Sequence, residues 1–163
     1  MIYELTDAFE VPSDLDATWT FFSSAANLAK ITPADMRFTI VSPMPIEMRE
    51  GTILDYTIAW MGLPIRWRTK IIEWQPPTRF VDLQVRGPYA LWHHTHTFTP
   101  SDGGVICRDR VIYKLPGWGI DRVVHALLVR HQLTEIFRFR RKAIADALGG
   151  VRAVQDDVQI QPL

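Results

Sequence analysis

The sequence predicts an α+β fold in which a curved antiparallel sheet of about seven strands wraps around one long C-terminal helix, with two short helices after the first strand. Three observations lead there. The stretch from about residue 36 to residue 115 is almost all β-rich runs joined by short turns, too short for crossover connections, so its strands pair antiparallel. Residues 126–148 then carry a single apolar stripe at the 3.6-residue period. Between the first strand and the others, Leu15, Trp19 and Phe22 fall at helical spacing on one face.

Each element has its own signal. Residues 2–11 alternate and read as the first strand, ended by Pro12-Ser13; Ser13 with Asp16 forms an N-terminal capping pair for the helix that follows. Residues 27–31 read as a further turn of helix closed by Pro33, and 36–41 as a short strand. In 51–60, Leu54, Tyr56, Ile58 and Trp60 share one side. Met61-Gly62 turns the chain into 65–74, where Arg66, Arg68 and Lys70 oppose Ile65, Trp67, Thr69 and Ile71. Pro76-Pro77, Gly87-Pro88 and Ser101-Asp102-Gly103-Gly104 separate the next strands, and the last of them, 105–115, stops at Pro116-Gly117. In the final helix Val129, Leu133, Ile136, Phe137, Ile144, Ala147 and Leu148 hold the stripe, and Gly149-Gly150 ends it. Ile120, Val123, Val124 and Leu127 lie on the opposite face of a continuous helix; either a short separate helix precedes the long one, the favoured reading, or something covers a second apolar face. Residues 1–148 thus form one domain and 149–163 a flexible tail without a pattern.

Composition narrows the function classes. Hydrophobic residues at 47% and charged residues at 22% are ordinary globular values, and eighteen basic side chains balance eighteen acidic ones, which disfavours nucleic acid or an anionic membrane as partner. No apolar run approaches the roughly 20 residues of a membrane-spanning helix, and the N-terminus lacks a secretory pattern, so the expectation is a soluble cytoplasmic protein. Cys107 is the only cysteine, which excludes an internal disulfide and a cysteine-rich metal site.

The most informative stretch is Gly87-Pro88-Tyr89-Ala90-Leu91-Trp92-His93-His94-Thr95-His96-Thr97-Phe98, whose even positions Trp92, His94, His96 and Phe98 project from one strand face. Pairing Phe98 with Val105 sets His96 opposite Cys107, His94 opposite Asp109 and Trp92 opposite Val111, with Asp82 beside His94 on the other flank. The row Asp82–His94–Asp109 then either satisfies itself within a half-buried sheet, orients a ligand, or works as an acid/base group. Arg140 falls inside the apolar stripe between Phe137 and Ile144, where a guanidinium needs a carboxylate, an anionic ligand or a route to the helix edge. The rest of the basic run, Arg138, Arg141 and Lys142, reads as a solvated helix face. His94 and His96 at i and i+2 can chelate one ion with Asp109 as third ligand, but no H-E-x-x-H helix or paired cysteines accompany them, so no metal or other cofactor is expected. Cys107 beside His96 is a conceivable nucleophile but reads more simply as a small buried hydrophobe.

The element order resembles the START-like (SRPBCC) ligand-binding superfamily with the helix-grip fold, and in particular its polyketide cyclase/dehydrase-like branch. The residues that carry the resemblance are Gly87-Pro88-Tyr89, Trp92-x-His94-x-His96-x-Phe98, Asp109-Arg110-Val111, Tyr113-x-Leu115-Pro116, Trp19-x-x-Phe22 and Ile136-Phe137…Arg140-Arg141. It implies an internal cavity binding a hydrophobic small molecule, with polyketide-like compounds, isoprenoid quinones and lipids as ligand classes. In that cavity Tyr56, Trp67, Phe80, Trp92, Phe98, Leu133 and Phe137 are expected to bury an apolar body, and Asp82, His94, His96, Asp109 and Arg140 to orient its polar group. A carrier or sensor is the leading reading. The alternatives are a cyclase or dehydratase using His94, Asp109 and Arg140, and an interaction module or homodimer docking through Val123, Val124 and Leu127.

Overall fold

The computed structural model describes residues 1–60, 62–117, 123 and 125–163. Strand β1 (Ile2–Val11) turns Tyr3, Leu5, Asp7, Phe9 and Val11 inward, all nearly inaccessible to solvent. Helix α1 (Leu15–Phe22) is capped by Asp14, whose carboxylate accepts the Ala17 N–H at 2.7 Å. Asp14 replaces the expected Ser13–Asp16 pair because it is the residue directly before the first helical one, the position from which a side chain reaches the free N–H groups. Short 3₁₀ turns at Ala25–Asn27 and Ala34–Met36 follow; the turn of helix expected over 27–31 meets the first of them only at Asn27.

The strands β2 (Thr39–Ile40), β3 (Ile53–Trp60), β4 (Leu63–Gln75), β5 (Arg79–Arg86), β6 (Leu91–Ser101) and β7 (Gly104–Lys114) follow one another as antiparallel neighbours, and β1 closes on β7. Two register shifts between β4 and β5, at Arg68/Thr69 and Ile71/Glu73, bend the sheet. The β6–β7 turn is tight, with Ser101 opposite Gly104. Gly104 has a φ of +136°, and a Cβ there would lie 2.0 Å from the Val11 carbonyl oxygen, so only glycine lets β1 pass so close.

The long helix α2 (Arg130–Leu148) lies in the concave face and buries Leu133, Phe137 and Ile144. Its entry, His125–Val129, has π-helical hydrogen bonding, and it ends at Gly149 with a φ of +87° in the left-handed region. The short helix expected around Ile120–Leu127 falls partly outside the described residues, Ile120 and Val124 among them; Val123 and Leu127 are exposed.

The C-terminal segment corrects the expectation of a loose tail. Residues 151–163 form β8 (Arg152–Ala153) and β9 (Gln159–Pro162), both antiparallel to β1. They cover the edge that β1 would otherwise leave open. Ile160, opposite Leu5, joins the core, and Gln155 donates to the carbonyls of Thr6 and Asp157. Among the described residues the sheet therefore has nine strands, seven before α2 and two after it. Among the described residues no helix is long and apolar enough to cross a membrane.

Candidate functional site

Between the concave sheet and α2 lies a cavity of about 460 Å³. One end is aromatic. Tyr56 on β3 stacks on Trp67 of β4 at 5.9 Å between ring centroids, and Trp67 meets Trp92 of β6 edge-on at 5.5 Å. Their polar tips are satisfied locally: the Trp67 indole N–H donates to the Thr69 hydroxyl, and the Tyr56 hydroxyl lies 3.3 Å from the same oxygen. Burial pushes the Tyr56 phenol well above its ordinary range, so it stays neutral.

The other end is a polar corner assembled from four elements. Asp82 comes from β5, His94 and His96 from β6, Asp109 from β7 and Arg140 from α2. Each imidazole bridges both carboxylates. The Nε2 of His94 is 3.0 Å from Asp109 Oδ1 and its Nδ1 is 3.6 Å from Asp82 Oδ2. His96 is turned the other way, with Nδ1 2.7 Å from Asp109 Oδ1 and Nε2 3.0 Å from Asp82 Oδ2. The two rings are 3.8 Å apart, and His96 stacks on Phe80 at 4.1 Å. Arg140 closes the corner, 3.4 Å from Asp109 Oδ2, with its guanidinium over the rings of Phe22 and Phe137.

The electrostatics follow from crowding. Burial works to raise the Asp109 carboxyl, but Arg140 and the two histidines outweigh it and hold the group well below the usual carboxylate range. Burial likewise opposes ionisation of Asp82, and again the histidines and Arg140 win, leaving it lowered. The imidazoles diverge: burial and then His96 depress His94, whereas in His96 the pull of Asp109 and Asp82 exceeds the burial penalty and raises it. With both carboxylates ionised and Arg140 charged, one proton on His96 makes the corner neutral.

The expected register is corrected. Phe98 pairs with Cys107, His96 with Asp109, His94 with Val111 and Trp92 with Tyr113, a shift of two residues on β7, while Asp82 does pair with His94. The cause is the two-residue turn at Asp102-Gly103, which lets β6 run on to Ser101. A shift of two preserves the face, so Asp109 still points at the imidazoles, opposite one and diagonal to the other.

Of the residues singled out from sequence, Tyr56, Trp67, Phe80, Asp82, Trp92, His94, His96, Leu133, Phe137 and Arg140 line the cavity. Phe98 and Asp109 do not. Phe98 sits further along β6, against Trp19 and Phe22 of α1, and Asp109 lies behind the imidazoles. Cys107 faces Phe98 rather than His96, and burial pushes its thiol up, away from nucleophilic use. Arg141, expected in solvent, pairs with the buried Asp7. The sequence reading missed Tyr89, 4.8 Å from Trp92, along with Met36, Phe38 and Gln132 in the cavity wall. It also missed Asp7, whose signal was its place in the inward series Tyr3, Leu5, Phe9, Val11.

No family model and no curated protein sequence matches the chain. Solved structures do share its architecture. Protein Ms6760 from Mycobacterium smegmatis superposes with a TM-score of 0.65 at 18% identity, covering 90% of each chain. Norcoclaurine synthase from Thalictrum flavum gives 0.62 at 17%, over 90% of this chain and 96% of that one. The di-domain ARO/CYC StfQ from the steffimycin biosynthetic pathway gives 0.62 at 15%, over 91% of this chain and 53% of that one. At such identities the likeness defines the fold: it is the helix-grip fold.

Proposed function

We propose that the protein binds a hydrophobic small molecule in this cavity, as a carrier or sensor, with the ligand's polar group at the Asp82–His94–His96–Arg140 corner. The observation that carries the reading is the cavity itself: about 460 Å³ with aromatic walls and a charged corner. That is the size and polarity of pockets that enclose drug-sized organic molecules. Trp67 and Trp92 offer flat apolar surface, so the favoured ligand has a planar or polyene body with a carbonyl, hydroxyl or carboxylate at one end. Polyketide-like compounds, isoprenoid quinones and lipids meet that description. Denaturing freshly purified protein and analysing the released small molecules by mass spectrometry tests the proposal. A stoichiometric apolar compound is expected; an empty extract together with failure to bind an apolar fluorescent probe sinks it.

A cyclase or dehydratase reading has one observation in its favour. His94, braced by Asp109, and Arg140 stand together in the cavity wall, where a proton donor or acceptor and an enolate-stabilising cation are needed to fold a polyketone. Its structural likeness to StfQ supports the fold required and no more. Turnover of a model poly-β-ketone faster in wild type than in His94→Ala and Arg140→Leu supports this reading; equal rates leave binding alone.

A further inference from the structure

We propose that Asp82, His94 and His96 form a three-ligand site for a divalent transition-metal ion of the zinc type, with its open coordination position facing the cavity. The three side chains bring one donor atom each to within 4.8 Å of one another. The donors are His94 Nδ1, His96 Nε2 and Asp82 Oδ2, the last 3.6 and 3.0 Å from the two nitrogens. A tetrahedral ion with bonds of about 2.0–2.1 Å holds its donors about 3.3 Å apart, so the observed distances bracket the required one.

The stronger argument lies on the far side of the rings. His94 Nε2 and His96 Nδ1, the two nitrogens turned away from Asp82, both meet Asp109 Oδ1, at 3.0 and 2.7 Å. Asp109 Oδ1 is hydrogen-bonded to His94 Nε2 and lies beside His96 Nδ1, so one buried carboxylate sits behind both rings and leaves the opposite nitrogens on the Asp82 side, the outer-sphere arrangement that metal-binding histidines use. Arg140 stands on this outer side, 3.4 Å from both Asp109 Oδ2 and His96 Nδ1, so its guanidinium braces the orienting carboxylate. An ion at the inner atoms selects for His96 the tautomer with the proton on Nδ1. With Arg140 cancelling Asp109, Asp82 leaves a divalent ion one positive charge in excess. An oxygen donor from the cavity, a carboxylate or enolate above all, completes both charge and coordination. Two nitrogens and one carboxylate suit zinc or cobalt better than calcium or magnesium.

The test uses the full chain after chelator treatment. Calorimetric titration with zinc is expected to show one ion per chain, and cobalt(II) to give the visible bands of a low-coordinate site. His96→Ala should abolish uptake, Asp109→Asn should weaken it about 10- to 100-fold, and His93→Ala, on the opposite face of β6, should leave it unchanged. If His96→Ala does not fold, as judged by circular dichroism, Asp82→Asn takes its place. Octanoate should perturb the cobalt bands by reaching the open position. Absence of uptake by the wild-type chain, or uptake insensitive to Asp82→Asn and His96→Ala, overturns the site. Uptake with bands blind to octanoate overturns its opening onto the cavity while leaving ligand binding to be judged by its own extraction experiment.

Discussion

Arg140 and Arg141 are adjacent on one helix and reach register partners on adjacent strands, Asp109 on β7 and Asp7 on β1. The two corners nevertheless differ. Around Asp109 the partners continue into two imidazoles and the cavity. Around Asp7 they stop: Arg141 turns instead to the carbonyls of Gln155 and Asp156 in the C-terminal segment and packs over Phe9. The first corner opens onto the cavity, and the second ties helix, first strand and tail together. The same residue types on neighbouring positions therefore stand beside a cavity in one place and within a structural tie in the next, and what separates them is what lies beyond the carboxylate.

The sharpest way to break the contrast is to remove Asp109. Asp109→Ala leaves Arg140 and both imidazoles without their shared acceptor in a buried site, and about 3–5 kcal/mol of stability should be lost in urea unfolding. A loss no larger than that of Arg141→Leu would make the two corners equivalent. Arg141→Leu itself should cost about 2–3 kcal/mol, because Asp7 keeps a buried carboxylate without its cation. It should still bind an apolar fluorescent probe like wild type, whereas Arg140→Leu alters that binding; matching titrations of the two variants would remove Arg140 from the cavity's polar corner. Ile160→Ala should lower stability by about 2 kcal/mol without touching probe affinity, since it unpins the tail from Leu5 at a position that does not line the cavity.

The Asp7 corner also has a pH signature. Burial holds the Asp7 carboxyl above its ordinary 3.8, even against Arg141. A carboxyl raised on folding contributes stability fully below its unfolded value and loses it as pH rises through the folded one. Wild type should therefore lose stability relative to Asp7→Asn as pH climbs from below 3.8, and a constant difference across that interval would contradict the assignment. The smallest effect belongs to the aromatic end. Tyr56→Phe removes one hydroxyl contact with Thr69 and should cost about 0.5–1.5 kcal/mol, with the cavity's apolar capacity intact.

Much of this was legible in the chain itself. The 3.6-residue stripe through Val129, Leu133, Phe137 and Ile144 located the central helix, and alternation in 91–98 put Trp92, His94, His96 and Phe98 on one face. The out-of-place Arg140 pointed to the polar corner because a guanidinium in an apolar stripe demands a partner. Arg141 gave no such signal, since its helical position looks solvated until the tail and Asp7 are folded against it. Nor did the short apolar pattern of Val158 and Ile160 stand out among polar neighbours.

By itself, then, the sequence determined which side chains share a face, because a strand's period of two is a local property that survives any even slip of register. Only the tertiary structure decided which carboxylate meets which imidazole. That depends on the two-residue Asp102-Gly103 turn, which sets the β6–β7 register, and on the β5–β6 register that pairs Asp82 with His94, just as the C-terminal segment finds its place only against β1.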